Sequence, residues 1–488
     1  MTLLDEEQPL LRQITRESVF STKHNEIILD FDPEDLEDPR NWTAGFKWSV
    51  VLLLACMAFT VTFTCIGVVP VAAQIVEELD GHAATSSSTA ALLSLWELGE
   101  AAGPLLIAPL SEVLGRYPVM NGCNIAFIIW TLLAASSQST KVFIAARMLT
   151  GLAVASNVLN PAIIGDMFES EQRGSAMSLV MLAPLIGGAV GPAISGAIAQ
   201  TLGWRQVLLI AAGLAVLCEI LFLTCFRETY KMAILRRRLR KVQEESGEFH
   251  KSGRQNGHED LWKLWHSITR PFAVLFGSSV LLMLSIFSAV GFSYFYVLCI
   301  SLPQILQGVY GFNPAQTGSA FMSFSVGSFL AIFVCNYGLD RIYVHLRGSS
   351  AKGQPEHRLP IAIAGALTLP MSVTAYGWIT QARLPVFLLL ASVGTVGFTL
   401  ILTVVPLSAY VVDAFGPYSA SALTGVIVTR CLAGTFFPLG TDPLVDLLGP
   451  GLGFSCFGAL SLVLAIVPII VFRYGERLRQ RSEFTRDD

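Results

Sequence analysis

The chain has 488 residues, 53% of them hydrophobic and 14% charged, with a formal net charge of -4 and a mean hydropathy of +0.59. Soluble chains carry about 25% charged residues, so this composition excludes a water-soluble assembly of several domains and makes a bilayer the expected solvent. No nucleic-acid partner and no cofactor are expected, and the nine cysteines, none in a C-x-x-C pair, point to neither a metal site nor a disulfide framework.

Residues 1–46 are polar and acidic and are expected to form a cytoplasmic tail, so the first apolar helix itself directs insertion. Within the tail, Glu6-x-x-x-Leu10-Leu11 has the form of an acidic dileucine sorting string, which makes a vacuolar membrane the alternative to the plasma membrane. Crossing a hydrocarbon core of about 30 Å takes about 20 helical residues, because only helices or closed barrels satisfy their backbone groups in lipid. Twelve stretches meet that length: 48–71, 87–110, 118–138, 142–164, 175–199, 205–226, 272–300, 315–337, 359–380, 385–411, 418–440 and 450–472. The chain is therefore read as an all-α membrane protein with twelve transmembrane helices. The polar stretch 227–270 divides them six and six, which points to duplicated halves. Two six-helix bundles are expected over 47–226 and 271–473, joined by a cytoplasmic loop over 227–270 and followed by a cytoplasmic tail over 474–488.

With the N-terminus in the cytoplasm, 27 of the 32 Lys and Arg residues fall on that side, three fall outside, and Arg147 and Arg430 lie within spans. The positive-inside rule therefore puts both termini and the central loop in the cytoplasm. The loop's basic run, Arg236, Arg237, Arg238, Arg240 and Lys241, fits a solvated loop that obeys this rule, or a surface for anionic lipid headgroups.

Span 2 contains Leu95-Trp96-Glu97-Leu98-Gly99-Glu100, two acids three residues apart on one helix face. Counted from residue 87 they lie about 15 and 20 Å deep at ~1.5 Å per residue. Each central acid opposes insertion by about 2.5–3.5 kcal/mol where a Leu favours it by only about 0.3–0.6. Packing alone seldom justifies that, and burial with mutual repulsion favours binding of a proton by at least one of them. The other reading is a structural pair satisfied by neighbouring helices. No histidine falls within an expected span, so carboxylates must handle any proton inside the membrane. At the end of the same helix, Gly103-Pro104-Leu105-Leu106-Ile107-Ala108-Pro109-Leu110-Ser111-Glu112-Val113-Leu114-Gly115-Arg116 puts a carboxylate and a guanidinium four residues apart at a Gly turn, where they could bridge helix ends as a conformational latch. Asp340 and Arg341 after span 8 look like a degenerate second copy. Arg147 opens Arg147-x-x-x-Gly151 in span 4, about 8 Å from the start of its span at ~1.5 Å per residue. From there its side chain has two routes, inward into the bundle or snorkelling outward. Span 5 carries Gly187-Gly188-Ala189-Val190-Gly191-Pro192-Ala193-Ile194-Ser195-Gly196, in which Gly187, Gly191 and Ser195 form a flat stripe for a neighbouring helix and Pro192 bends the backbone beside it. Trp96, Asn157, Asn160, Tyr294, Phe295, Tyr296 and Arg430 are candidates for lining a substrate cavity, because aromatic faces with a few polar groups suit an amphiphile.

The Ala108-Pro109-Leu110-Ser111-Glu112 string with Gly115-Arg116, the span 4 Arg147-x-x-x-Gly151 and the span 5 Gly187 to Gly196 stretch together resemble the signatures of the major facilitator superfamily, in the form found in fungal twelve-span drug:proton antiporters. Further echoes, including Gly165-Asp166 with Arg173, Glu228-Thr229-Tyr230 and Tyr410-Val411-Val412-Asp413, spread the resemblance over nearly the whole chain. Departures are Ala108 and Ser195, each where that pattern has Gly, and Tyr117 where it often has a base. The resemblance implies the major facilitator fold, a role for Arg147 in proton relay, and antiport tied to the span 5 motif.

The expected function is proton-coupled export of small amphiphilic organic molecules by alternating access, in a monomer whose partners are its substrate, protons and the lipid bilayer. Uptake of a polar solute such as a polyamine or organic acid is the second transport reading. A membrane-embedded enzyme or a non-transporting sensor is the alternative of another class. H-E-x-x-H, G-x-S-x-G and G-x-x-x-x-G-K-[ST] are all absent, which disfavours the enzyme and an ATP-driven pump.

Overall fold

The computed structural model describes residues 21–23, 26–28, 31, 35, 37–81, 86–169, 172–246, 257–347 and 354–485. The dileucine-like string at 6–11 and the side chains of Arg240, Lys241 and Asp340 lie outside the described residues. Before the first span, Ser21–Lys23 pairs antiparallel with Glu26–Ile28, and beyond this ribbon the described elements are helices.

Among the described residues, twelve helices are long and apolar enough to cross a membrane: Ala44–Asp80, Ser87–Leu114, Arg116–Ala135, Thr140–Met167, Arg173–Leu202, Trp204–Cys225, Ser279–Gly308, Pro314–Leu346, Pro355–Gln381, Val386–Phe415, Ser419–Leu439 and Pro443–Arg479. They are spans 1 to 12 below, and the chain is a multi-pass membrane protein. Its outer surface fits that solvent: Leu217, Ile220, Phe333, Met371 and Phe387 are all exposed, a pattern that water would penalise and acyl chains accept. Most spans extend past the expected boundaries because the helix continues into polar residues that hydropathy does not count. Span 7 is the opposite case. Residues 272–277 belong to the preceding amphipathic helix Gly257–Gly277, and the crossing starts at Ser279 after Ser278 leaves helical geometry and accepts a hydrogen bond from the Leu281 N–H. Val274 and Leu275 are buried against the protein, so apolarity there reflects packing on the second bundle. The described residues of the stretch between the bundles form two helices, Lys231–Ser246 and Gly257–Gly277. His345 and His357, expected in loops, fall at the end of span 8 and the start of span 9.

Successive spans alternate direction, so both described termini lie at one end of the molecule. At the opposite end the two bundles meet. The Gln307 amide of span 7 donates to the Pro70 carbonyl of span 1 at 2.8 Å, and the start of span 8 packs against Pro192 and Gly196 of span 5. Midway along, spans 2 and 11 lie side by side across the same boundary.

Candidate functional site

Span 2 delivers its two acids to the boundary between the bundles. Counted from Ser86, Glu97 lies about 16 Å and Glu100 about 21 Å along the helix at ~1.5 Å per residue, near the middle of the 29 residues Ser86–Leu114. Glu97 is 2% exposed, and one of its oxygens accepts a hydrogen bond from the Tyr296 hydroxyl of span 7, in the other bundle. Glu100 is half-buried; it accepts from the Trp96 indole N–H at 3.0 Å and from the Asn157 amide of span 4. The Arg430 guanidinium of span 11 acts electrostatically on both carboxyl groups. It also lies 4.2 Å from the centre of the Phe292 ring, and its Nε has no hydrogen-bond partner. Gly434, one turn beyond Arg430, leaves room for the cross-bundle bond, since a Cβ there would stand 3.3 Å from the Tyr296 ring and 3.5 Å from the Glu97 carboxylate.

This geometry gives the site a graded exposure, from Glu97 fully covered to Asn157 open to solvent. One donor atom each from Glu97, Glu100 and Cys431 lie within 4.8 Å of one another. That triad has the donor types for a divalent cation, but the adjacent Arg430 charge opposes one there. Two carboxyls facing one guanidinium leave a net charge of -1 when both are ionised. Either a proton or a cationic or hydrogen-bonding group of a solute can satisfy that surplus.

Arg147 turns inward. It is 1% exposed, donates at 2.8 Å to the Thr64 and Cys65 carbonyls just past the middle of span 1, and stands 4.4 Å from the Trp96 ring. A desolvated contact of this kind is worth about 2 kcal/mol, so snorkelling has nothing to offer this side chain. The i, i+4 spacing of Arg147 and Gly151 has a packing cause. Gly151 sits on the Trp96 carbonyl and 3.2 Å, measured from a built Cβ, from the Glu100 nitrogen, so span 4 docks backbone to backbone on the turn that carries both acids. Trp96, 0% exposed, is thereby wedged between Arg147 and Phe127, where it orients Glu100.

The span 5 motif works on two faces. Gly187 and Gly191 pack on Phe59, Thr62 and Phe63 of span 1, and Ser195 packs on Gly67. Pro192 and Gly196 instead meet Gly318 and Pro314 of span 8 in the other bundle. The expected stripe thus joins span 5 to its own bundle, while the Gly-Pro continuation forms part of the contact that closes the end away from the termini.

At the end carrying the termini, Arg116 pairs with Asp166 of span 4 at 3.4 Å and donates to Ser111. Glu228, just past span 6, accepts the backbone N–H groups of Arg116 at 2.8 Å and Tyr117 at 3.2 Å, which caps the N-terminus of span 3 with a negative charge. Glu112, expected to be the acidic half of the latch, is exposed; Asp166 and Glu228 surround Arg116 instead. Gly115 makes the turn at φ +103°, a region in which side chains are strained, and a Cβ there would collide with Glu228. In the second bundle the matching place is taken by Arg358, at the start of span 9, bonded to Asp413 of span 10 at 2.9 Å. Arg341 lies 5.8 Å from the Tyr337 ring.

A model of the Major Facilitator Superfamily matches residues 51–438. The chain belongs to this superfamily. Among relatives of this facilitator chain, an MFS-type transporter, penM, of Penicillium rubens is 32% identical over 463 residues, covering 94% of this chain and 90% of that protein. The efflux pump radE of Floropilus chiversii is 31% identical over 462 residues, covering 94% and 86%. Among solved structures, a D-xylose-proton symporter matches with a TM-score of 0.66 at 17% identity, covering 87% of this chain and 97% of that one. The human organic anion transporter MFSD10 matches with a TM-score of 0.59 at 16% identity, covering 88% and 100%. These structures share the facilitator fold with this chain.

In this facilitator chain the expected cavity residues do not all converge. Tyr296, Asn157, Trp96 and Arg430 meet at the two acids. Tyr294 faces the other way: its hydroxyl donates to the Phe457 carbonyl at 2.9 Å and accepts from Ser461 of span 12 at 2.6 Å, because successive residues on a helix point about 100° apart. Phe295 packs on Phe324 of span 8, next to Tyr296. Asn160 is 2% exposed, with its carbonyl oxygen unpartnered. Three positions at the acids were missed, Phe292, Cys431 and Gly434, and so was Arg358 at the end carrying the termini. The first lies one turn from Tyr296 and Gly434 one turn from Arg430, so helical spacing from residues already singled out reaches these two, whereas Cys431 is the chain neighbour of Arg430. Arg358 stands where span 9 begins, as Arg116 stands where span 3 begins.

Proposed function

We propose that the protein is a proton-coupled secondary transporter that exports small amphiphilic organic molecules by alternating access. The observation that carries this reading is the carboxyl pair held at mid-membrane between the bundles, with Glu97 tied to Tyr296 across the boundary. A rocking motion must break or remake that bond, and the protonation state of Glu97 decides which partner it favours. The names of the fungal relatives, transporters and an efflux pump, favour outward movement of a metabolite or drug. Both termini lie in the cytoplasm, as the charge bias indicates, so the bundles meet here at the outer end. The proposed membrane is the plasma membrane.

In the cycle, substrate enters from the cytoplasm, donates a hydrogen bond to Glu100 and takes one from the Asn157 amide, with its apolar part on Phe292 and Phe295. After the bundles rock, a proton from outside binds Glu97 or Glu100 and displaces the substrate; loss of that proton to the cytoplasm resets the carrier. Arg430 neutralises the acid that remains ionised, and Arg147 holds span 1 to the turn that bears both acids. One proton contributes about 2.3 kcal/mol per 100 mV of potential and about 1.4 kcal/mol per pH unit, sufficient for at least tenfold accumulation.

The test is flux in proteoliposomes under an imposed pH gradient, with labelled amphiphiles screened against the wild type, Glu97→Gln and Glu100→Gln. The double variant is expected to lose gradient-driven flux at least 100-fold while still exchanging labelled for unlabelled substrate. Intact gradient-driven flux in the double variant would remove the carboxyl assignment, and movement of no solute at all would remove transport itself.

A further inference from the structure

A third acid lies inside the first bundle and takes no part in the central cluster. Glu219 of span 6 is 4% exposed and lies about 9 Å along the helix from Cys225 at ~1.5 Å per residue, well within the apolar layer. Its Oε2 accepts from the Asn124 amide of span 3 at 2.9 Å, whereas Oε1 has no partner. Asn124 is 2% and Asn121 5% exposed, and neither amide atom of Asn121 has a partner. Asn121 and Asn124 are three residues apart on one face of span 3, with Asn121 a turn nearer the end that carries the termini.

The surroundings decide the form of the acid. The polar partner of Glu219 is Asn124 of span 3, and its chain neighbour Cys218 lies against Thr60 of span 1. Among the described residues no Lys, Arg or His forms an ion pair with it. An ionised carboxylate here would have a single hydrogen bond and no counter-ion, a burial that costs several kcal/mol. A neutral acid in the same place needs one acceptor for its proton. The protein supplies none to Oε1, and one turn along span 3 from Asn124 the Asn121 amide is likewise unpaired; unpaired buried polar groups of this kind are normally met by water. Phe127, one turn further along span 3, packs edge-on against Trp96 at 6.2 Å between ring centres.

We propose that Glu219, Asn124 and Asn121 form a second proton-holding site, with buried water at Asn121 carrying the proton to and from the end of the molecule that bears the termini. It binds its proton independently of Glu97 and Glu100 and stands whether or not the export reading holds.

Infrared difference spectroscopy of the reconstituted full-length protein tests this, with Glu219→Gln as the central variant, because Gln matches the neutral acid in shape and can keep the bond from Asn124. The expected result at neutral pH is loss of one carboxylic-acid carbonyl band in Glu219→Gln, with that band still present in the Glu97→Gln/Glu100→Gln double variant. Loss of carboxylate bands in its place, or a spectrum without any acid band assignable to residue 219, overturns the proposal. The water route is read separately by hydrogen–deuterium exchange of the same band. Asn121→Leu should slow that exchange at least tenfold, and an unchanged rate removes Asn121 from the site.

Discussion

Glu97 is the side chain on which two bundles make one hydrogen-bonded contact, and the donor in that contact, Tyr296, is separable from the acid itself. Tyr296→Phe keeps the ring that packs on Phe292 and Phe295 and removes only the hydroxyl. Since the bond is made to a buried carboxyl, its loss should be worth about 1.5–3 kcal/mol and should shift the pH at which gradient-driven flux is half-maximal upward, because the hydroxyl stabilises the ionised form. Substrate exchange without a gradient should fall less than threefold. An unchanged pH profile in Tyr296→Phe would leave the hydrogen bond without a coupling role. At this scale the sequence exposed the acids clearly, because charge in an apolar run is conspicuous. It did not expose which aromatic faces them. Tyr294, Phe295 and Tyr296 are adjacent in the chain and point in three directions, and only the phase of span 7 against span 2 distinguishes them. Glu219 was open to the same insertion-energy argument as Glu97 and Glu100. It escaped for lack of a second acid beside it, since a single carboxyl does not create the mutual repulsion that made the pair stand out.

For the helices, small residues explain more than hydrophobicity does. Gly318 of span 8 rests on the backbone of Pro192, and Gly196 of span 5 rests on Pro314, so the two bundles touch main chain to main chain at the end away from the termini. A branched side chain at Gly318 has no flexible neighbour to displace, only the span 5 backbone. Gly318→Val should therefore hold that end open and lower transport at least tenfold, while leaving expression and the helical content near wild type, because a surface between bundles is not a folding core. Alkylation of a cysteine placed at Ala193 by a membrane-impermeant thiol reagent reads the open end directly. It should be fast in Gly318→Val and slow otherwise, and equal rates would dissociate this contact from gating. The spacing of the span 5 stripe was legible as a packing face. Its partition between span 1 and span 8 was not, because the i, i+4 register of Gly187, Gly191 and Ser195 carries no information on which neighbour lies opposite. The latch shows the same limit. Glu112 and Arg116 are close in the chain, yet the helix ending at Leu114 turns Glu112 to solvent, and the acid that meets Arg116 comes from 50 residues away in sequence.

Over the whole molecule the division into six and six spans was readable because lipid leaves so few alternatives for a long apolar chain, and the central basic stretch marked the seam. What joins the seam to the rest was hidden, since the polar segments have no periodicity strong enough to assign partners. Arg238, in the linker helix Lys231–Ser246, donates to both oxygens of Asp35 at 2.6 and 2.9 Å and to Glu37 at 2.6 Å. Phe31 lies 5.4 Å from the same guanidinium. The segment before span 1 is thus strapped to the chain that connects the two bundles, and any rocking between them pulls on this strap. Burial works against ionisation of Asp35, but the hydrogen bonds from Arg238 and from the Glu37 N–H outweigh it and hold the carboxyl below its ordinary value of 3.8. A depressed value means that the strap contributes fully above that ordinary value and is lost as pH falls through the lowered one. Hydrogen exchange of the linker helix, taken relative to the intrinsic amide rate at each pH, should therefore be unchanged from neutral pH down to about pH 4, in keeping with an ordinary Asp value near 3.9, and accelerate only below it. Arg238→Ala should show the accelerated exchange at every pH. Because exposed pairs contribute only about 0.2–1 kcal/mol, the change should amount to a few-fold in rate. A linker helix whose exchange rose already between pH 7 and pH 5 would have to be held by some other titrating group, and Asp35 would lose its place in the connection between the tail and the moving halves.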